Sequence, residues 1–254
     1  MEMISIKSPS EIEKMRAAGR LTAQARRLAG TMVQPGVSTL EIDREVRKFI
    51  ESHGAKCSFL GYGGFPGAAC ISINDVVIHG IPDHRKLAEG DIVSIDVGAY
   101  LNGFHGDCAA TFLCGQVSDE AKKLVEVTQQ SHFEGIKMAR AGNRVSDIGH
   151  AVQTYVESFG YGVVREFVGH GVGSKLHEPP EVPNYGAAGH GARLRAGMVI
   201  AVEPMVLAGG DWHVKVLKDG WTTVSADGSL AAHYENTLLI TDGDPEILTD
   251  PGED

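Results

Sequence analysis

The sequence predicts an α+β fold made of two related halves, with helices packed on a central antiparallel sheet. Three observations support this prediction. An internal repeat runs through the chain, apolar residues recur at helical spacing in several segments, and short apolar strand-like runs are joined by tight turns.

The internal repeat consists of two separate blocks. Residues 34–55 align without a gap on residues 140–161, which lie 106 positions later. Residues 87–97 align on residues 194–204, which lie 107 positions later. Because the two offsets are nearly equal, chance similarity between amphipathic helices is a poor explanation. We interpret the repeat as two halves related by a pseudo-twofold axis.

Helix signals come first in each half. Ser8, Pro9 and Glu11 supply a cap, a proline at the first helical position and a capping-box acid, so a helix is predicted to begin there. A second helix is predicted after the stretch QPGVST, and a helix-rich region from about Ser118 to Phe159.

The strand DIVSIDVGAY ends in Asn102-Gly103, a dipeptide that favours a two-residue hairpin turn. In that hairpin Gly98 pairs with Asp107, so Asp96 and Asp107 project from the same face as diagonal neighbours. A bulge at Gly106 would change the detail without separating them. Two carboxylates this close require a cation or a shared proton.

Two further acids stand alone in apolar runs that we expect to be strands, Glu203 in AVEPMV and Glu235 in HYENTLLI. The repeat places Glu203 where the first half has Asp96. Four converging carboxylates exceed the charge of one divalent ion, so we expect two ions that share bridging carboxylates. An oxygen-rich site of this kind suits Mn(II), Fe(II) or Co(II) better than a structural zinc site would.

Histidines complete the predicted site. His170 lies between glycines in FVGHGVG, which leaves space around its ring. His79 and His177 each precede a proline by three residues in loops before the acid-bearing strands, so we expect both at the rim.

The composition bounds the class of protein. The chain has 254 residues and a net charge of -10, which argues against nucleic acid or an anionic membrane as the main partner. The four cysteines form no C-x-x-C pair and are expected to be reduced thiols. The N-terminus has no signal-peptide pattern and no run is apolar enough to span a membrane, so we expect a cytoplasmic protein.

Seven ordered motifs resemble one family. NDVVIHGIP, SIDVGAY, FHGDCAATF, GHGVG, LHEPP, AVEPM and YENT occur in the order typical of type I methionine aminopeptidases. The resemblance covers about residues 4–245. It implies the pita-bread fold, with residues 1–254 as a single catalytic domain whose internal halves span about 34–112 and 140–240.

The resemblance also implies roles for individual residues. The implied metal ligands, of which Asp107 and Glu235 bridge both ions, are Asp96, Asp107, His170, Glu203 and Glu235. The implied catalytic residues are His79, His177 and Glu203; both histidines also contact substrate. The implied walls of the methionine pocket are Tyr62, Phe65, Cys70, Trp221 and Phe59, with Leu176 nearby.

The implied activity is hydrolysis of the first peptide bond after an N-terminal methionine, with a small second residue preferred. Water activated by two divalent ions (cobalt, manganese, iron or zinc) would attack that bond. The implied substrates are the N-termini of nascent polypeptides, with the ribosome as the candidate place of action, and we expect a monomer.

Two alternatives remain open at the level of sequence. Xaa-Pro aminopeptidases share the same five ligands but usually carry an additional N-terminal domain. A non-catalytic binding protein of this fold would be expected to have lost ligands, whereas all five are present here.

Overall fold

The computed structural model describes residues 3–252 of the chain. Four helices are present in this part: α1 (Pro9–Thr31), α2 (Thr39–Ser52), α3 (Asp119–Ile136) and α4 (Val145–Glu157). A single 3₁₀ turn spans Tyr62–Gly64. The strands, in chain order, are β1 (Lys56–Cys57), β2 (Ala69–Ile73), β3 (Val76–Ile78), β4 (Ile92–Leu101), β5 (Phe104–Leu113), β6 (Gly162–Val163), β7 (Gly169–Gly171), β8 (Glu178–Val182), β9 (Val199–Val202), β10 (Met205–Leu207), β11 (Val214–Val216), β12 (Thr223–Ser225), β13 (Ala231–His233), β14 (Asn236–Leu239) and β15 (Glu246–Ile247).

The predicted helix starts are confirmed. At α1 the backbone N–H of Ser8 donates to Glu11 Oε2 at 2.8 Å, as the capping-box pattern requires. At α2 the N–H of Ser38 donates to Glu41 Oε2 at 2.8 Å. These reciprocal caps satisfy backbone donors that have no partner within the helix, and they fix where each helix begins.

The duplication recurs in three dimensions. The N–H of Gly36 donates to the carbonyl of Leu87 at 2.8 Å, and in the second half the N–H of Gly142 donates to Leu194 at 2.9 Å. Both glycines have positive φ, 92° and 99°, which a residue with a side chain rarely adopts. The same loop therefore ties the helix to the following strand in each half.

Each half has its own apolar core between helix and sheet. In the first half Ile42 of α2 packs in one cluster with Val93 of β4. In the second half the equivalent pair, Ile148 of α4 and Ile200 of β9, packs in another. All four side chains are fully buried. The two halves thus repeat a packing unit as well as a sequence.

The strands pair antiparallel throughout, as predicted, but within residues 3–252 they form four sheets where the sequence predicted a single central one. The neighbour orders are β1-β4-β2 with β5 on β4, β13-β10-β6, β11-β12-β3, and β15-β14-β9-β7-β8. Pro204 has no N–H to donate, so the β9–β10 stretch is interrupted there. Ala109 and Glu235 exchange backbone hydrogen bonds of 3.3 and 2.9 Å, which join β5 of the first half to the start of β14 in the second.

Helix α1 covers the back of the β4–β5 hairpin, where glycines allow a close approach. A Cβ atom on Gly106 of β5 would lie 2.7 Å from Thr22 Oγ1 and 2.8 Å from Gly19 Cα. The chain therefore needs glycine one residue before Asp107. Over residues 3–252, no helix is both long and apolar enough to cross a membrane.

We expect Gly106→Ala to lower the free energy of unfolding by about 1–3 kcal/mol, because the added methyl group forces α1 away from β5. Urea unfolding with metal chelated measures this loss. Gly243→Ala is the matched control, since its Cβ would meet no atom closer than 3.9 Å, and it should change stability by less than about 0.5 kcal/mol. Equal stability of the two variants would contradict the packing account.

Candidate metal centre and substrate pocket

The β4–β5 hairpin brings the first two acids together in the predicted register. Leu101 pairs with Phe104 and Gly98 pairs with Asp107, with no bulge at Gly106. Asp96 pairs with Ala109, two residues beyond Asp107, so both aspartates project from the same face of the hairpin. One hairpin thus presents two carboxyl groups on one face.

The second half supplies a histidine and two glutamates. His170 Nε2 lies 3.5 Å from Glu203 Oε1 and 3.8 Å from Asp107 Oδ2. One donor atom from each of Asp107, His170 and Glu235 lies within 4.8 Å of the others. All five residues, including Asp96, line one cavity of about 180 Å³.

The sequence placed Glu203 and Glu235 inside strands, and this is wrong. Glu203 lies between β9 and β10, and Glu235 lies between β13 and β14. Each glutamate therefore lies at a break between two strands that belong to different sheets. Because Pro204 follows Glu203, the backbone turns away from sheet pairing at the point where the carboxylate meets the cavity.

Four buried carboxylate oxygens have no hydrogen-bond partner among residues 3–252. They belong to different side chains: Asp96 Oδ1, Asp107 Oδ1, Glu203 Oε1 and Glu235 Oε1. Leaving a charged oxygen buried and unpaired is costly, and bound cations remove that cost. The donor set, four carboxylates and one imidazole, suits divalent ions with oxygen and nitrogen ligands.

The pKa values reflect the same crowding. Burial raises the pKa of Asp96 to about 7. Burial, and then the charges of the neighbouring carboxylates, raises the pKa values of Asp107, Glu203 and Glu235 well above their ordinary values. Without a cation, these groups therefore resist ionisation near neutral pH.

His170 is held in its neutral form. Burial, followed by the neighbouring His177, lowers its pKa to about 3. Its Nδ1 lies 2.9 Å from the carbonyl of Gly171, and a carbonyl only accepts, so Nδ1 carries the proton. The Nε2 lone pair therefore faces Asp107 and Glu203, as a metal ligand requires.

A buried histidine in α3 holds the two glutamate segments in place. His132 Nδ1 donates to the carbonyl of Val202 at 3.0 Å, and its Nε2 accepts from Asn236 Nδ2 at 3.2 Å. Val202 precedes Glu203 and Asn236 follows Glu235. One ring thus fixes the spacing of both strand breaks.

Arg26 of α1 supports the centre from behind. Its Nη1 donates to the carbonyls of Ala109 and Glu235, each at 3.1 Å. Sequence reasoning missed both Arg26 and His132, because each is a lone polar residue within a helix. The only local signal was Asn236, which directly follows a predicted ligand.

An apolar pocket adjoins the carboxylates. Cys70 of β2 pairs directly with Asp96 of β4, so the pocket begins beside the first acid. The Phe65 and Trp221 rings meet edge to face with centroids 5.2 Å apart. The predicted pocket residues all line the cavity that holds the four acids and His170, and these are Phe59, Tyr62, Phe65, Cys70, Leu176 and Trp221.

His79 and His177 both line this cavity. The His177 ring lies 4.1 Å from that of His170, and Tyr62 Oη lies 2.7 Å from His177 Nδ1. His79 has a φ of 57°, uncommon for a residue with a side chain, and meets Trp221 edge to face at 6.1 Å. Burial, and then His177, lowers the pKa of His79 to about 4.

Comparison with known proteins gives one consistent family. The sequence profile of metallopeptidase family M24 matches residues 13–242. The methionine aminopeptidase of Clostridium acetobutylicum is 55% identical over 248 residues, covering 97% of this chain and 99% of that protein. Methionine aminopeptidase 1 of Bacillus subtilis is 50% identical over 247 residues, covering 97% and 99%.

A solved structure agrees. The crystal structure of the methionine aminopeptidase from Thermotoga maritima superposes with a TM-score of 0.95 at 47% identity. The match covers 98% of this chain and 100% of the other. The similarity therefore includes both halves of the fold and every element that carries a site residue.

We expect the rise in Tm on adding Mn²⁺ to metal-free protein to be larger at about pH 7.5 than at about pH 5. In the unfolded chain these carboxyl groups ionise near pH 4, whereas the folded metal-free protein retains their protons, so its stability falls as pH rises. Bound cations require the ionised forms and reverse that loss. Thermal unfolding in chelator and in excess Mn²⁺ measures the difference.

Two variants test whether the carboxylate cluster causes the Mn²⁺-dependent rise in Tm. Asp107→Asn removes one carboxyl group with a raised pKa and should reduce the Mn²⁺-dependent rise in Tm. Glu126→Gln, an exposed change on α3, should leave it unchanged. A rise that is equal at both pH values, or that survives Asp107→Asn in full, would contradict the assignment of this cluster as the cation site.

Proposed function

The chain belongs to metallopeptidase family M24, and we propose that it removes the N-terminal methionine from peptides and nascent proteins, with a small second residue preferred. It is a metal-dependent aminopeptidase of the pita-bread fold. The observation that carries the proposal is one shared cavity. The pocket for an apolar side chain and the cluster of unpaired carboxylate oxygens are walls of the same space.

The proposed ligands of the divalent ions are Asp96, Asp107, His170, Glu203 and Glu235. Two ions are favoured over one, because four carboxylates carry more charge than a single divalent cation neutralises. Asp107 and Glu235 are proposed to serve both ions. Cobalt, manganese, iron and zinc all accept such a donor set. When bound, the ions lower the pKa of water and polarise the scissile carbonyl.

The apolar pocket is proposed to bind the methionine side chain. Phe59, Tyr62, Phe65, Cys70 and Trp221 surround a space suited to an unbranched, polarisable thioether. Burial raises the pKa of the Cys70 thiol well above its usual value, so this wall stays uncharged. A charged first residue would be desolvated there without a partner, which favours methionine.

Two histidines that line the cavity are proposed to act on the peptide bond. The Tyr62 hydroxyl fixes the ring of His177 through Nδ1, which leaves Nε2 free to donate to the carbonyl oxygen as negative charge develops. His79, held neutral by burial, is proposed to contact the leaving nitrogen. Glu203 is proposed to pass a proton to that nitrogen.

The proposed substrates are nascent polypeptides, which present methionine at a free N-terminus. We place the reaction in the cytoplasm, with the ribosome as the source of substrate, and propose a monomer. Both halves contribute ligands, Asp96 and Asp107 from the first and His170, Glu203 and Glu235 from the second. This division supports residues 1–254 as one catalytic domain.

The two alternative functions receive less support. An Xaa-Pro aminopeptidase needs a site that accepts proline after the scissile bond, whereas the relatives at 50–55% identity are methionine aminopeptidases. A non-catalytic binding protein does not need four carboxylates buried without partners, because their cost would have no compensating function.

The function is tested by kcat/KM for peptides that begin Met-Ala, Met-Ser, Met-Leu, Met-Lys and Ala-Pro, in one buffer with one metal. Met-Ala and Met-Ser should be cleaved fastest, because a long second side chain beside the ions, His79 and His177 misplaces the carbonyl. Equal rates for the four methionine peptides would refute the crowded-site account. Preferential cleavage of Ala-Pro would instead establish the Xaa-Pro alternative.

We expect His177→Ala to lower kcat about 10²–10³-fold, the usual effect of removing one donor to a developing oxyanion. Metal content, measured on the purified variant, should remain that of the parent protein. His84→Ala changes an exposed histidine that does not line the catalytic cavity, and it should leave kcat unaltered. Loss of metal from the His177 variant would show that His177 is a ligand and that this division of roles is wrong.

A further inference from the structure

A second cavity opens directly beside the catalytic one. Its volume is about 380 Å³, and it is lined by β7, by the residue before it and by the first part of β8. His170 and His177 are walls of both cavities. The two spaces therefore adjoin at these two residues, and a substrate that passes His177 reaches the second one. We call this second cavity the β7–β8 groove.

The closed shape of the catalytic cavity identifies the groove as the exit path. Phe65, Cys70 and Leu176 pack in one apolar cluster at the closed end of the cavity and are between 3% and 6% exposed, so that end accepts a single side chain and nothing longer. An aminopeptidase substrate continues for many residues beyond the first peptide bond. Those residues must leave past His177, in the direction of β8.

Two acids line the groove, and they are in different electrostatic states. Glu178 forms a nearly buried salt bridge of 2.6 Å with Lys7 and accepts from the Lys175 N–H at 3.1 Å. Its charge is thus already compensated within the fold. Glu181 is exposed and forms no hydrogen bond or salt bridge with any residue in the described range, 3–252.

We propose that the β7–β8 groove binds the third and fourth residues of the substrate and that Glu181 selects lysine or arginine there. The inference rests on the proposed aminopeptidase function and adds a determinant of substrate class to it. An extended chain advances about 3.3 Å per residue, so a long basic side chain one or two residues beyond the crowded second position reaches across the groove. An acidic residue at that position meets an uncompensated like charge.

The edge strand favours recognition through side chains over sheet extension. β8 is the edge strand of its five-stranded sheet, and it contains Pro179 and Pro180. Proline removes backbone donors and prevents a regular new strand from pairing there. Selectivity in the groove must therefore come from side chains. Of its two acids, Glu178 is paired with Lys7, and Glu181 has no salt bridge within the described residues.

The test uses the metal-loaded, full-length protein and three amidated tetrapeptides, Met-Ala-Lys-Ala, Met-Ala-Gln-Ala and Met-Ala-Glu-Ala. The parent protein should show kcat/KM for the lysine peptide about two- to five-fold above that for the glutamine peptide, with the glutamate peptide lowest. The effect should appear in KM more than in kcat, because Glu181 contacts no reacting atom. Raising the salt concentration should reduce it.

Variants at one position assign the effect. Glu181→Gln should bring the lysine-to-glutamine ratio close to one, and Glu181→Lys should favour the glutamate peptide. Glu126→Gln removes an exposed charge of the same kind on α3, outside the groove, and should keep the parent ratio. A parent ratio of one, or a lysine preference that survives Glu181→Gln, would overturn the groove proposal while cleavage of Met-Ala-Gln-Ala upheld the function. Failure to cleave any of the three peptides would overturn the function and this inference with it.

Discussion

Mutual repulsion among four buried carboxylates is the constraint on which the rest of this structure depends. Asp96, Asp107, Glu203 and Glu235 each present an oxygen with no hydrogen-bond partner in residues 3–252. Such a cluster is tolerable only with cations inside it, or with protons retained at unusually high pH. The surrounding fold therefore has to hold these groups together against their repulsion and keep bulk water away from them.

The duplicated architecture meets this demand asymmetrically. In the first half a continuous hairpin fixes Asp96 and Asp107 by strand register alone. In the second half the position equivalent to Asp96 is Glu203, and it lies at a break between two strands. A longer side chain on an interrupted strand can reach the same cavity from the opposite side. The repeat therefore places Asp96 and Glu203 at equivalent positions, but Asp96 lies within a continuous strand and Glu203 at a strand break.

Sequence reasoning found the features that short-range rules control. The capping boxes at Ser8 and Ser38 mark where α1 and α2 begin. The Asn102-Gly103 turn fixes the hairpin register and with it the position of Asp107. It failed where a contact comes from far along the chain. The runs around Glu203 and Glu235 were interpreted as continuous strands, whereas β9 and β10, and likewise β13 and β14, belong to different sheets. No local pattern marks His132 as a support, since its partners lie 70 and 104 residues away.

The supports behind the carboxylates explain how the cluster stays assembled without adding to its own charge. Burial lowers the pKa of His132 to about 3, so the ring that spans the two glutamate segments is neutral and acts only through its hydrogen bonds. Arg26, the cation behind the site, donates to backbone carbonyls and forms no salt bridge with the acids within the described chain; its charge acts to lower the pKa values of Asp96 and Glu235, against the larger effect of burial. A direct salt bridge would compensate a carboxylate permanently and weaken its hold on a metal ion. Neutral and backbone-directed supports leave all four carboxylates available, so their negative charge remains to be compensated by the ions that catalysis needs.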